Sequence, residues 1–245
     1  MPITNIKSRW RQGFLEFTST EGDDIEVVNA MAPVKYFLEF NGPAIDTTND
    51  VNQTAIGAGA ITTVDGLGTI TTAAGDDDNV EIASDLVFKA GYGCVCEARI
   101  RNDDIAGQGY FFGFSDAITE GADSLPIDYS GGAGALVSDA DDCAGFFMDP
   151  DKTDASIMCG STIATTASTP IDTGTDAVNA TWHTYRVELD TAGNAYYYFD
   201  GAYVGTDTLA ITTTDPLCVY LGTINREGFA NTLDVSYIRA WGGRQ

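Results

Sequence analysis

Residues 182–206 constrain the fold more than any other part of the chain. Tyr185, Val187 and Leu189 alternate with Thr184, Arg186, Glu188 and Asp190, the period-two signature of a strand with one buried and one wet face. Residues 191–194 turn the chain, and an aromatic strand runs from Ala195 to Phe199. It ends at Asp200-Gly201, a pair suited to a tight hairpin because both positions tolerate positive φ. A third strand follows at Tyr203.

The rest of the sequence extends this pattern. From Tyr36 onward it predicts strands at 36–40, 68–72, 80–82, 93–101, 110–114, 144–148, 156–159, 184–189, 195–199, 203–206, 219–223 and 233–241, separated by Gly, Asp and Thr turns. No window of a dozen residues carries a 3.6-residue apolar period, so helix should be scarce. The expected architecture is all-β, two packed antiparallel sheets. The 245 residues suit one large sandwich. Glu97, Arg99 and Arg101 should share one face of their strand. Tyr110–Phe114 and Ala144–Met148 are apolar on both faces, which predicts a central position or a further covering layer.

The first 34 residues read differently, as an arm preceding a sandwich over 35–245. Lys7, Arg9 and Arg11 place a quarter of the basic charge before the first acid, Glu16. Trp10, Phe14, Leu15 and Phe17 are apolar anchors that an isolated arm could not bury. They should dock on another subunit or on the chain's own sandwich, and Lys7, Arg9, Trp10, Arg11, Phe14 and Phe17 are the candidate contact residues.

Charge and cysteine content exclude several functions. With 36 acidic against 12 basic residues, the formal charge of −24 repels a phosphate backbone or an anionic membrane. No apolar run reaches signal-peptide or membrane-span length. Cys94, Cys96, Cys143, Cys159 and Cys218 are odd in number and lack metal-site spacing, which predicts small buried thiols in a reducing cytoplasm.

The Trp182-His183 step, the glycine turn, the aromatic strand, Asp200-Gly201 and the Val204-Gly205-Thr206 ending together resemble the hairpin of concanavalin A-like jelly rolls, the laminin-G, legume-lectin and glucanase relatives. Leu233–Trp241 resembles their closing strand, which pairs back beside the first. Tyr110–Asp116, Pro126–Tyr129, Cys143–Asp149 and Val178–Thr184 resemble, in the same order, the jelly-roll structural proteins of tailed phages. That second resemblance implies a non-enzymatic virion component assembled in the host cytoplasm. Its implied role is a capsid decoration or cement protein, bound to the major capsid protein and to itself as a trimer. The lectin relatives imply the alternative, a carbohydrate-binding module that uses calcium in some members.

The residues that could carry chemistry are few. A glucanase on this scaffold needs paired carboxylates in a Glu-x-Asp-x-Glu pattern along one strand. Glu188-Leu189-Asp190 runs straight into a turn, and Glu97-Ala98-Arg99-Ile100-Arg101 has arginine where acids are required, so no catalytic residue is assigned. His183, the only histidine, should serve the strand start. Asp149, Asp151 and Asp154 offer the best oxygen set for calcium, against an ordinary solvated loop. Asp128 with Tyr129, before a Gly-Gly turn, could contact a glycan, against a plain connection.

Overall fold

The computed structural model describes residues 6–11, 14–19, 25–26, 34–40, 45, 51–130, 135–152 and 156–243, the first three segments as backbone alone. Two antiparallel sheets form a sandwich. The front sheet runs β19 (Ala202–Asp207), β18 (Ala195–Phe199), β17 (Trp182–Leu189), β9 (Cys94–Asn102), β21 (Thr232–Gly242), β7 (Leu67–Thr71), β6 (Ala60–Val64), with β4 (Val34–Glu39) also paired to β21. The back sheet runs β15 (Thr166–Ala167), β14 (Ser156–Ile163), β13 (Cys143–Met148), β10 (Gln108–Ser115), β20 (Cys218–Asn225), β8 (Asn79–Ala83), β5 (Asn52–Ala55), with β16 (Ile171–Asp176) beside β14. The closing strand β21 lies beside β4, which opens the sandwich. Among the described residues the helical content is one 3-10 turn, Ala90–Tyr92.

The aromatic hairpin forms as its residues dictate. Tyr185, Val187 and Leu189 are buried on β17, and Asp200 (φ 48°) and Gly201 (φ 78°) make the left-handed turn between β18 and β19. The Asp200 carboxylate accepts the Thr184 amide at 2.8 Å and faces His183 Nδ1 at 2.8 Å, so the lone histidine closes the turn. All five cysteines are free and buried.

The main core lies between the sheets and is built on Tyr110, Phe112 and Phe114 from β10, Phe146 from β13, and Tyr185 and Tyr197 opposite. The Tyr110 and Tyr185 hydroxyls satisfy each other at 2.7 Å inside it. A second core lies on the far side of the back sheet, where Phe111, Phe147, Tyr220 and Ile224 pack under Leu125, Ile127 and Tyr129. The covering segment is a strap, residues 116–130, that ends in β11 (Ile127–Ser130), paired with β12 (Ala135–Ser138). β10 and β13 are therefore both central and covered by a further layer.

The strap fits because the sheet beneath it is partly bare. Gly113 faces Gly145, and Gly145 faces Gly160, across β10, β13 and β14. A Cβ on Gly145 would lie 2.5 Å from the Phe111 ring, and one on Gly222 would lie 2.6 Å from Leu125 of the strap. The aromatic rings lie over glycine backbone, which leaves room for a second apolar layer.

The N-terminal region forms its own antiparallel sheet of β1 (Ile6–Arg11), β2 (Phe14–Ser19) and β3 (Ile25–Glu26). The candidate arm contacts Lys7, Arg9, Trp10, Arg11, Phe14 and Phe17 fall on this hairpin, and their side chains lie outside the described residues.

Candidate functional site

Each sheet presents one outer face, and the two differ in character. On the back sheet, β8 points Asn79, Glu81 and Ala83 outward while Val80 and Ile82 enter the main core. The strap closes over this row. Asn79 Nδ2 donates to the carbonyls of Gly121 at 2.7 Å and Ser124 at 2.9 Å, and to Glu81 Oε1 at 3.1 Å. The Glu120 amide donates to Glu81 Oε1 at 3.3 Å, and Ser115 Oγ donates to Glu120 at 2.9 Å. Burial pushes the Glu81 carboxyl above its usual range, offset in part by Thr119 and Tyr220. Burial, with Asp116, Glu81 and Asp139 nearby, pushes Glu120 up to about 7.

At the other end of the strap the acids gather around one cation. Arg226, just past β20, donates to Asp149 through Nη2 at 2.7 Å and Nε at 3.3 Å, to Asp77 through Nη1, and to the Tyr129 carbonyl at 3.2 Å. Asp128 lies 3.3 Å and Asp151 3.9 Å from the same guanidinium. The Arg226 side chain is 7% exposed and that of Asp149 1%. Desolvation leads Asp128 upward to about 7 against the pull of Arg226. It also raises Asp149, despite the hydrogen bonds from Arg226.

The structure places the residues of both site expectations that fell in this region. Asp128 and Tyr129 are buried in the second core, with Tyr129 packed on Phe147, so neither is presented to a ligand in solution. Their segment reads as a loop because its covering role depends on the distant glycines below it. Asp149 and Asp151, weighed for calcium against a solvated loop, lie beside the Arg226 guanidinium; Asp154 lies outside the described residues. Among the described residues no group of three or more His, Cys, Asp or Glu side chains is arranged to hold a metal. Arg226 itself went unnoticed in the sequence, since its partners at 77, 128 and 149 are remote along the chain.

The outer face of the front sheet is polar, aromatic and arginine-rich. The register sets Trp182 beside Arg101, Arg101 beside Asp234 and Asp234 beside Thr69, one row across β17, β9, β21 and β7. Arg99 and Arg101 stand over the Trp182 indole at 4.9 and 5.0 Å from its centroid. The Arg101 guanidinium pairs with Asp234, whose other oxygen accepts the Thr69 hydroxyl at 3.0 Å. Arg99 is exposed and makes no ion pair among the described residues. A parallel row sets Tyr198, Arg186, Glu97 and Arg239 side by side. There Glu97 lies between Arg186 and Arg239, and Arg186 also pairs with Glu188. Five of the chain's twelve cations, Lys35, Arg99, Arg101, Arg186 and Arg239, stand on this one face of an acidic molecule.

No protein-family model and no curated protein matches this sequence. Solved structures do. The β-glucanase of Bacillus licheniformis is 13% identical with a TM-score of 0.56, the match covering 86% of this chain and 98% of that one. The potassium-bound carbohydrate recognition domain of Emp46p is 11% identical with a TM-score of 0.58, over 86% and 98%. A structure described under endo-acting O-glycanases of the human gut microbiota that initiate mucin breakdown is 12% identical with a TM-score of 0.58, over 84% and 98%. The fold is thus the two-sheet jelly roll of concanavalin A-like lectins and glucanases.

Proposed function

We propose that this chain is a lectin-like carbohydrate-binding module that does not cleave its ligand. The observation that carries the reading is the Trp182 site, an indole with the Arg99 and Arg101 guanidinium groups 4.9 and 5.0 Å from its centroid and the Asp234 carboxylate and the Thr69 hydroxyl in the same row. A flat ring can take the apolar face of a sugar, while paired arginine and carboxylate groups exchange hydrogen bonds with its hydroxyls. The cations of this face are largely neutralised by Asp234, Glu97 and Glu188. Together with the net charge of −24, that favours an uncharged glycan over a polyanion. The likeness to carbohydrate recognition domains supports the same reading.

Binding without cleavage is supported by the opposite sheet. Hydrolysis needs two carboxyl groups flanking an accessible glycosidic bond, whereas Glu81 is fully buried and the strap covers it. The capsid-decoration expectation draws no specific support from the fold or the matched structures.

The test is a glycan array probed with the full chain, followed by titration of any bound sugar against wild type and Trp182→Ala. Loss of the indole should weaken binding at least tenfold, about 1.4 kcal/mol or more. Retention of no glycan on a broad array would sink the proposal. Release of reducing ends from β-glucan or mucin would overturn its non-hydrolytic part.

A further inference from the structure

We infer that the strap over the back sheet is a pH-operated cover, shut when its carboxyl groups are protonated and released as they ionise. The inference concerns the face opposite Trp182 and stands apart from the carbohydrate reading.

The geometry sets acid against acid across the strap's contact with the sheet. Glu120 of the strap faces Glu81 of β8, with its own amide bonded to that carboxylate at 3.3 Å. Around the Glu120 carboxyl stand Asp116 and Asp139, with Cys143 of β13 and Cys218 and Tyr220 of β20 also within reach of its charge. No Lys, Arg or His among the described residues compensates it. At the far end Asp128 of the strap meets Asp149, with Asp139 also near, and Arg226 is shared with Asp77 and Asp151. One cation among four carboxylates cannot neutralise all of them. The remaining attachment is apolar, through Leu125, Ile127 and Tyr129 on Phe111, Phe147 and Tyr220.

The sign follows from proton linkage. Glu120 moves from an ordinary 4.5 to about 7 in the covered state, and Asp128 from 3.8 to about 7. Between those values the covered form binds more protons than the open one. Raising the pH therefore favours opening by up to tenfold per pH unit per carboxyl, and the effect levels off above about 7. Opening would expose the rings of Phe111, Phe147 and Tyr220.

Amide hydrogen exchange on the full chain tests this directly. The amides of Glu120, Leu125 and Tyr129 are bonded to Glu81, Asp128 and Asp149, so they report the contacts themselves. After correction for intrinsic rates, their protection should fall at least tenfold more between pH 5 and pH 7.5 than that of the β9–β17 amides. Glu120→Gln should reduce that slope, and Glu120→Gln with Asp128→Asn should reduce it further, to what Glu81 and Asp149 still contribute. Leu125→Ala, which trims an apolar side chain and keeps the backbone amide bonded to Asp128, should raise strap exchange equally at every pH. An environment-sensitive dye should bind wild type more strongly at pH 7.5 than at pH 5. Equal pH dependence in strap and β9–β17 amides, or an unchanged slope in the doubly substituted chain, would overturn the inference.

Discussion

Arg226 and the Tyr110–Tyr185 pair show how much single side chains carry here. Arg226→Met would leave Asp128 and Asp149 buried without their cation, and breaking a buried pair from one side costs about 3–5 kcal/mol. Part of that loss should return at acid pH as the acids protonate, which urea unfolding at pH 5 and pH 8 would show. The tyrosine pair makes a different prediction. Tyr110→Phe or Tyr185→Phe alone strands a buried hydroxyl and should cost about 1–3 kcal/mol. The double substitution should cost less than the two single ones added together, because it removes both polar ends. A strictly additive cycle would contradict the hydrogen bond.

Whole elements depend on backbone features that their side chains do not reveal. The β18–β19 turn requires left-handed φ at Asp200 and Gly201. Gly201→Val should therefore destabilise by more than the ~1 kcal/mol typical of a simple glycine replacement, measured as a lowered unfolding midpoint. The glycine row of the back sheet is stricter. A Cβ at Gly113 would sit 2.2 Å from the Ala144 carbonyl oxygen, a contact with backbone that no rotamer relieves. Gly113→Ala should part β10 from β13 and be among the most destabilising single changes, whereas Gly228→Ala, with nothing within 4 Å of its Cβ, should be tolerated.

For the molecule as a whole, the buried acids set the pH dependence. Glu81, Asp116, Glu120, Asp128 and Asp149 are all held above their usual range, led in each case by desolvation. The folded chain thus binds more protons than the unfolded one between about pH 4 and 7. Stability should be highest at the acid end of that window, fall as pH rises through it and flatten above about 7. Asp190, held below its usual range by Asn194, Ala192 and Tyr196, acts in the opposite direction. A urea midpoint that rises from pH 5 to pH 8 would refute this. The sequence by itself determined the aromatic hairpin with its Asp200-Gly201 turn and the shared face of Glu97, Arg99 and Arg101, because period-two burial and turn chemistry act between near neighbours, whereas the pairing of the closing strand with β4 was implied by the resemblance to concanavalin A-like jelly rolls. It left β5, β6 and β16 unread, since their Thr, Ala and Gly residues alternate weakly. Only the tertiary structure decided that Asp128 and Tyr129 lie inside a covering strap, that Asp149 and Asp151 gather on Arg226, and that Arg99 and Arg101 both stand over the Trp182 ring. Those contacts join residues far apart in the chain, and glycine backbone, register across strands and the low dielectric of a second core leave no local mark in the sequence.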